Sequence, residues 1–243
     1  MLMKEKFEPG EWTKIFSWIR ELLPLNFAID DLPLKIFSGN INYSTRLFER
    51  AYDLIEGKGA AVIAAGPELA ELRDLHADSL VVADAAFKYV TYELDLTPDL
   101  LITDLDGIEG IEANLLREVP LLIVHLHGDN VERARIFIGE ASSHGIKALF
   151  TTQQPPSFPF FNFGGFTDGD RAVFTSLFFG AREVSVYGVG ESQLMHHRSP
   201  PSEIKARKYW IGSMLVKWLA CRDKRVKIPL AKGYDCSWFP WEA

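Results

Sequence analysis

Short, largely apolar runs recur along the chain from residue 60 onward. Six such runs, each four to six residues long, occupy residues 60–65, 80–83, 100–103, 121–126, 148–151 and 184–187. Apolar runs of this length, without regular alternation with polar residues, are typical of parallel strands that helices cover on both faces. The pattern therefore predicts a buried, mostly parallel sheet.

Stretches with helical spacing of apolar residues lie between these runs, at residues 131–143 and 170–180, and a longer one follows at residues 202–222. Strands that alternate with helices indicate βαβ units. We therefore predict an α/β fold with a doubly wound, mostly parallel sheet. The last helix is expected to bury Ile204, Ile211, Met214, Leu215 and Trp218.

The first 56 residues have a different pattern. Apolar residues recur at helical spacing from Trp12 to Leu23, where Pro24 ends the segment, and again over residues 44–56, where Gly57 follows. We predict a mainly helical N-terminal segment over residues 1–56 and an α/β domain, which carries the candidate chemistry, over residues 57–243.

Composition narrows the class of protein. Hydrophobic residues make up 47% and charged residues 24% of the chain, as in soluble globular proteins, and a net charge of −7 argues against a nucleic-acid partner. No apolar run is long enough to cross a membrane, and residues 1–10 do not resemble a signal peptide. Cys221 and Cys236 are too few, and too near one end, to staple the chain or to form a four-thiolate zinc site. We expect a cytoplasmic protein without a membrane partner, either monomeric or a homo-oligomer.

Residues that pack poorly in a hydrophobic core follow most of the predicted strands. They are Gly66 and Pro67, Asp84, Asp104 and Asp106, His127 to Asn130, and Thr152 and Gln153. Because ligands of open parallel sheets bind beyond the carboxyl ends of the strands, these residues point to one shared site. An aspartate in this position also commonly caps a helix or forms a turn, and for each residue alone that alternative stays open.

Several carboxylates in one crevice repel one another unless a cation lies among them. Magnesium is the natural candidate, because it prefers oxygen ligands and usually binds through a few carboxylates together with substrate phosphates. The sequence therefore predicts a magnesium ion and a phosphate-rich substrate.

A glycine-rich segment at residues 162–171 precedes a predicted helix. Gly164 and Gly165 permit close approach of the backbone, and the two acids Asp168 and Asp170 stand beside Arg171, whose guanidinium suits phosphate. We interpret the segment as a metal and phosphate site, with helix capping by Asp168 as the alternative. Neither a P-loop nor a G-x-G-x-x-G motif occurs.

Taken together, four motifs resemble the archaeal 6-hydroxymethyl-7,8-dihydropterin pyrophosphokinases in order and spacing. They are PDLLITDLDG at residues 98–107, HLHGDN at 125–130, TTQ at 151–153 and NFGGFTDGDR at 162–171. That family is similar to the catalytic domain of thiamine pyrophosphokinase. The resemblance implies magnesium-dependent transfer of a diphosphate from ATP to the hydroxymethyl group of a reduced pterin, with release of AMP, on a pathway to methanopterin- or folate-type cofactors.

The resemblance also implies roles for individual residues. The candidate magnesium ligands are Asp84, Asp104, Asp106, Asp129, Asp168 and Asp170, of which Asp104, Asp129 and Asp168 are the catalytic candidates. The ATP-binding candidates are Gly66, Pro67, Gly164, Gly165, Arg171, Lys205 and Lys208. The substrate-binding candidates are His127, Asn130, Thr152, Gln153 and Asn162, any of which also suits hydrogen bonding within a loop.

Two alternatives from other classes stay open. His125, His127 and Asp129 approach the H-x-H-x-D-H motif of zinc-dependent hydrolases, although Asn130 stands where the last histidine belongs. The second alternative is a non-catalytic or glycosyl-transferring relative. It is suggested by residues 188–191, Gly-Val-Gly-Glu, where the pyrophosphokinases usually have Gly-Met-Asp-Phe.

Overall fold

One sheet of eight strands organises the chain. A computed structural model describes residues 9–39, 41, 45–67, 69, 72, 75–189 and 202–242. The strands are β1 (Gly59–Ile63), β2 (Ser79–Ala83), β3 (Leu100–Thr103), β4 (Leu121–Leu126), β5 (Ala148–Thr152), β6 (Phe160–Phe161), β7 (Glu183–Tyr187) and β8 (Val226–Lys227). Their order is β6-β5-β4-β3-β2-β1-β7-β8, and each neighbouring pair is parallel. The six predicted strands are confirmed, whereas β6 and β8 were not predicted because two residues carry no periodic signal.

Helices cover both faces of the sheet. They are α1 (Pro9–Leu22), α2 (Leu32–Phe37), α3 (Thr45–Ile55), α4 (Phe87–Tyr92), α5 (Ala113–Glu118), α6 (Val131–His144), α7 (Asp168–Phe178) and α8 (Glu203–Arg222). Helices α1, α3, α7 and α8 pack on the face that includes Val62 and Val81, and α2, α4, α5 and α6 pack on the opposite face with Ile63 and Val82. Consecutive strand residues point to opposite faces, and both faces are buried. The prediction of a doubly wound α/β fold is confirmed.

The N-terminal segment packs directly onto the sheet. Ile15 and Ile19 of α1 are fully buried and belong to the same hydrophobic core as Ile55 of α3 and the helices α7 and α8. Helix α3 ends before Gly57, which has a positive φ of 69°, as the sequence predicted. The segment therefore contributes to the central core instead of forming one of its own.

Helix α8 departs from its prediction at one end. Ile211, Leu215 and Trp218 are buried and Met214 is partly buried, but Ile204 is 39% exposed. The prediction that Ile204 is buried is therefore wrong. Ile204 lies in the first turn of α8, where the helix borders a cavity instead of the sheet.

The two cysteines are paired, which was not predicted from the sequence. Cys221, near the end of α8, forms a disulfide with Cys236, and the two Cα atoms are 5.7 Å apart. The bond ties the segment after β8 to α8, and the two residues are 15 positions apart in the sequence.

Among the described helices, none combines the length and apolar character needed to cross a lipid bilayer.

The direction of strand addition reverses between β1 and β7, which creates a crevice at their carboxyl ends. Gly188, directly after β7, lies against the residues after β1: it has a φ of 73°, and a Cβ atom there would stand 1.9 Å from the backbone oxygen of Ala64. Only glycine fits this approach. The fold thus places an opening at the strand ends where the sequence predicted a shared site.

Candidate active site

A cavity of about 410 Å³ opens beyond the carboxyl ends of β1 to β5 and β7. The first turns of α7 and α8 and part of the N-terminal segment complete its wall. Eleven of the sequence-predicted residues line it: Gly66, Asp84, Asp104, Asp106, His127, Asp129, Gln153, Asp168, Arg171, Lys205 and Lys208. The sheet edge thus brings together residues that are far apart in the sequence.

Three carboxylates converge in this cavity. One oxygen from each of Asp84, Asp104 and Asp106 lies within 4.8 Å of the others. Asp84 is held rigidly, because it accepts hydrogen bonds from the hydroxyl of Thr103 at 2.8 Å and from the backbone N–H of Gly107 at 2.7 Å. Each of its oxygens keeps a further lone pair for a ligand.

The loop after β3 brings Asp104 and Asp106 to the same side. Leu105, between them, has a positive φ of 78° and a buried side chain. A left-handed conformation is unfavourable for a leucine, and burial of the apolar side chain offsets part of that cost. Asn130 fixes the loop from behind, because its amide donates to the backbone oxygen of Asp104 at 2.9 Å.

The acids are electrostatically coupled. Burial, followed by the charges of Asp168 and Asp104, raises the pKa of Asp84 well above its usual value. Burial and the charge of Asp104 likewise raise the pKa of Asp168 at the start of α7. Burial alone would raise the pKa of Asp104 too, but the neighbouring His127 and the N–H of Asp106 outweigh it and the pKa is lowered. The cluster therefore concentrates negative charge that a cation would relieve.

Two histidines follow each other along the end of β4. Nδ1 of His127 accepts the backbone N–H of Asp129 at 3.3 Å, so Nε2 carries the proton and lies 3.7 Å from Oδ2 of Asp104. His125 is buried, which lowers its pKa well below the usual value, and its Nδ1 lies 3.1 Å from the hydroxyl of Thr151.

Among the described residues, the side-chain ligand atoms of Asp84, Asp104 and Asp106 lie within 4.8 Å of one another. Those of His125, His127 and Asp129 do not come together in this way. A zinc-dependent hydrolase needs such a convergence of imidazole nitrogens. The geometry therefore does not favour this alternative. The alternative of a non-catalytic or glycosyl-transferring relative was suggested by residues 188–191, of which residues 190 and 191 lie outside the described residues.

Cationic side chains line the same cavity. Lys205 and Lys208 come from the first turns of α8, and the ammonium of Lys208 lies 5.8 Å from the ring centre of Phe166. Arg171 is buried and donates to the backbone oxygens of Gly165 at 3.3 Å and Phe166 at 3.1 Å. Its Nε has no partner among the described residues. Charges that attract phosphate thus face the acidic cluster.

Seven predicted residues do not line the cavity: Pro67, Asn130, Thr152, Asn162, Gly164, Gly165 and Asp170. Instead of facing a ligand, the carboxylate of Asp170 caps α7, accepting the N–H and hydroxyl of Thr167 and the N–H of Phe166. Both its oxygens are engaged.

The other residues of this group shape loops. Asn130 donates to the backbone oxygens of Asp104 and His125, Asn162 donates to those of Gln153 and Gln154, and the hydroxyl of Thr152 accepts from the N–H of Gln154. A Cβ atom at Gly165 would stand 2.4 Å from the Cα of Arg171, which requires glycine for packing. Gly164 shares the positive φ, at 87°.

Part of the cavity wall was not predicted from the sequence. It includes Leu25, Asn26, Phe27 and Asp30 from the N-terminal segment, Gly188 after β7, and Ser202, Tyr209 and Ser213 around α8. Gly188 had a usable signal, a glycine directly after a predicted strand. Asp30 had none, because no strand ends there.

Comparison with curated proteins identifies relatives that are named 6-hydroxymethyl-7,8-dihydropterin pyrophosphokinase. One from Methanocaldococcus jannaschii is 30% identical over 88% of the chain and 95% of the relative. One from Pyrococcus furiosus is 32% identical over 90% and 96%, and one from Methanothermobacter thermautotrophicus is 32% identical over 65% and 72%. No protein-family model matches the chain. Because the first two similarities span nearly the whole of both proteins, and the motifs agree, the chain belongs to the 6-hydroxymethyl-7,8-dihydropterin pyrophosphokinase family.

Proposed function

We propose that the protein transfers a diphosphate from ATP to the hydroxymethyl group of 6-hydroxymethyl-7,8-dihydropterin and releases AMP. The reaction would take place in the cytoplasm, require Mg²⁺, and serve a pathway to tetrahydromethanopterin- or folate-type cofactors. The names of the three relatives support the reaction. The observation that carries the proposal is the convergence of Asp84, Asp104 and Asp106 in a cavity that also holds lysine side chains.

The acidic cluster fits Mg²⁺. Its donors are carboxylate oxygens from three residues, and Mg²⁺ usually binds through few carboxylates and completes its coordination with water and phosphate oxygens. Asp84, Asp104 and Asp106 would hold the ion, with Asp168 close enough to be coupled to the cluster electrostatically. When bound, Mg²⁺ supplies positive charge that neutralises the phosphate oxygens of ATP.

The triphosphate of ATP fits between the acidic cluster and α8. Lys205 and Lys208 offer ammonium groups there, and Gly66, in the loop after β1, lets the backbone approach a phosphate closely. Arg171 lies deeper and is bonded to backbone oxygens, so it acts mainly as a fixed positive charge beneath the phosphates.

The acceptor ring fits the end of the cavity near β4 and β5. Gln153 lines this region and is buried, and its Oε1 has no hydrogen-bond partner among the described residues. A buried acceptor without a partner is costly unless a ligand donates to it, and the N–H groups of a reduced pterin are suitable donors. His127 also lines the cavity, and its Nε2 lies 3.7 Å from Oδ2 of Asp104.

In the reaction, the hydroxymethyl oxygen bonds to the β-phosphorus while the bond from that phosphorus to the α,β-bridging oxygen breaks. AMP leaves with the electron pair of the broken bond. The hydroxyl proton passes to a carboxylate, for which Asp104 and Asp129 are the candidates in the cavity wall. Such transfers depend mainly on the positions and charges of the reacting groups. The hydrogen bonds that fix Asp84 and Asp104 would therefore contribute to the rate.

The test is AMP formation from ATP, measured with 6-hydroxymethyl-7,8-dihydropterin and with thiamine side by side. We expect Mg²⁺-dependent turnover with the pterin only, and a loss of roughly 100-fold or more in Asp104→Asn and Asp168→Asn. Asp53→Asn, an exposed change on α3, is the matched control and should retain full activity. Circular dichroism checks that each variant is folded. Near-normal turnover in both site variants would contradict the proposal.

A further inference from the structure

The N-terminal segment supplies one wall of the cavity. Leu25, Asn26, Phe27 and Asp30 line it, around a short 3-10 turn at Phe27–Ile29. These residues come from outside the α/β domain to which the sequence pattern assigned the chemistry. Their position raises the question of what this wall recognises.

The wall is fixed against the loop after β4. A Cβ atom at Gly128 would stand 2.2 Å from Cγ1 of Ile29 and 2.8 Å from its backbone oxygen, so only glycine lets the two backbones approach this closely. The N–H of Gly128 also donates to Oδ1 of Asp30 at 3.3 Å. The carboxylate of Asp30 is thereby held beside the histidine that precedes Gly128.

Asp30 has the properties of a ligand-binding carboxylate. Asp30 is only 7% exposed, yet it borders the cavity. Among the described residues the Gly128 N–H is its one hydrogen-bond donor, which leaves Oδ2 for a ligand. A carboxylate is expensive to bury with so few donors, unless a ligand supplies more of them.

The pyrimidine edge of a pterin has the matching chemistry. Its 2-amino group and N3–H are two parallel donors, arranged like the fork of a guanidinium, and a carboxylate accepts such a pair in bidentate fashion. Phe27 adds an aromatic wall for a planar ring. His127 directly precedes Gly128, and its Nε2 lies 3.7 Å from Oδ2 of Asp104. The wall is therefore near the acidic cluster.

We propose that Asp30 is a specificity-determining residue for the acceptor: its carboxylate accepts the 2-amino and N3–H groups of the pterin, and the N-terminal segment forms the acceptor subsite. The inference rests on the proposed function. It gives the ring an orientation, with the donor edge at Asp30 and the hydroxymethyl group directed to Asp104 and the phosphates.

The first test is Asp30→Asn. The asparagine oxygen still accepts the N–H of Gly128, so the wall stays in place, but an NH₂ group replaces Oδ2 and meets the pterin amino group donor to donor. We expect the KM for the pterin to rise about 10- to 100-fold, as for loss of a charged hydrogen bond. The KM for ATP and the melting temperature should not change.

Asp31→Asn is the matched control. It removes the same charge one residue later, from a side chain that is 46% exposed and pairs with Lys35 at 2.6 Å. Its kinetic constants for the pterin should equal those of the unmodified protein.

A second test exchanges the substrate. In the lumazine analogue, 6-hydroxymethyl-7,8-dihydrolumazine, a carbonyl oxygen replaces the 2-amino group while N3–H remains. The amide of Asp30→Asn offers one acceptor and one donor that match this edge. The ratio of kcat/KM for pterin to that for lumazine should therefore fall in Asp30→Asn relative to the unmodified protein, and a merely structural role of Asp30 would not move it.

The outcomes separate the two proposals. Turnover of the pterin by the unmodified protein, with an unchanged pterin KM and an unchanged pterin-to-lumazine ratio in Asp30→Asn, would overturn the role of Asp30 alone. Absence of pterin turnover in the unmodified protein would overturn both.

Discussion

Gly107 donates its backbone N–H to Oδ2 of Asp84 over 2.7 Å, and a Cβ atom at Gly107 would stand 3.0 Å from that same oxygen. The Cβ atom would also lie 3.1 Å from the backbone nitrogen of Ala85. The Asp-Leu-Asp-Gly motif therefore ends in glycine because the loop after β3 lies tightly against the residues after β2. It sets the position of Asp84 relative to Asp104 and Asp106.

Gly107→Ala should weaken Mg²⁺ binding with little effect on stability. The methyl group must displace the Asp84 carboxylate or the loop by a few tenths of an ångström, since side-chain and backbone atoms both stand too close. We expect the Mg²⁺ concentration for half-maximal activity to rise, as measured by titration of AMP formation.

Gly139→Ala provides the comparison for Gly107→Ala. Gly139 lies in α6, and among the described residues no atom beyond its chain neighbours and the backbone of its own helix stands within 4 Å of the place that an added methyl group would take. Alanine there should stabilise the helix by about 0.5–1 kcal/mol and leave the Mg²⁺ requirement as it is. An unchanged Mg²⁺ requirement in Gly107→Ala would show that this contact does not control the cluster.

The sheet could be predicted because β1 to β5 are almost entirely buried on both faces, so each appears as an apolar run, while β7 buries Val184 and Val186 on one face. The convergence of Asp84, Asp104 and Asp106 could also be predicted, since parallel strands end at one edge. By contrast, the sequence does not separate residues that bind a ligand from residues that cap a helix, because both roles use the same residue types. Asp168 and Asp170 flank one glycine, yet Asp168 faces the cavity and Asp170 caps α7, and only the three-dimensional contacts distinguish them.

Contacts made by segments that do not follow a predicted strand were beyond prediction. The hydrogen bond from Gly128 to Asp30 joins residues 98 positions apart, and nothing in the sequence around Asp30 indicates it. The pairing of Cys221 with Cys236 similarly depends on how the segment after β8 folds back onto α8.

Mg²⁺ should stabilise the folded protein. An ion that binds only the folded state at 100 times its Kd adds about 2.7 kcal/mol, which for a chain of this size corresponds to roughly 5–11 °C in Tm. Calorimetry with MgCl₂, against NaCl of equal ionic strength, measures the shift. It should be absent in Asp104→Asn. An equal shift with NaCl would exclude specific binding.

Arg171→Met should destabilise the fold by about 3–5 kcal/mol, because it leaves the buried acids at the start of α7 without their cation. Urea unfolding in Mg²⁺-free buffer measures the loss. Arg182→Met is the control: Arg182 pairs with Asp78 at 3.0 Å, but both side chains are more than half exposed, and its loss should cost less than about 1 kcal/mol. Similar losses in the two variants would contradict a charge-balancing role for Arg171.

The disulfide should stabilise the protein without affecting catalysis. Closing a loop of about 15 residues contributes about 3 kcal/mol, so Cys221→Ser combined with Cys236→Ser should lower the free energy of unfolding by that order. Neither cysteine lines the cavity, so kcat should not change. The protein is purified and unfolded without reductant, and its thiols are then titrated. The titration should find no free thiol before reduction and two free thiols after reduction. Two free thiols before reduction would show that the cysteines are unpaired in solution. The contacts of Trp241 with Trp18 and Trp218 would then be left to hold the C-terminal segment.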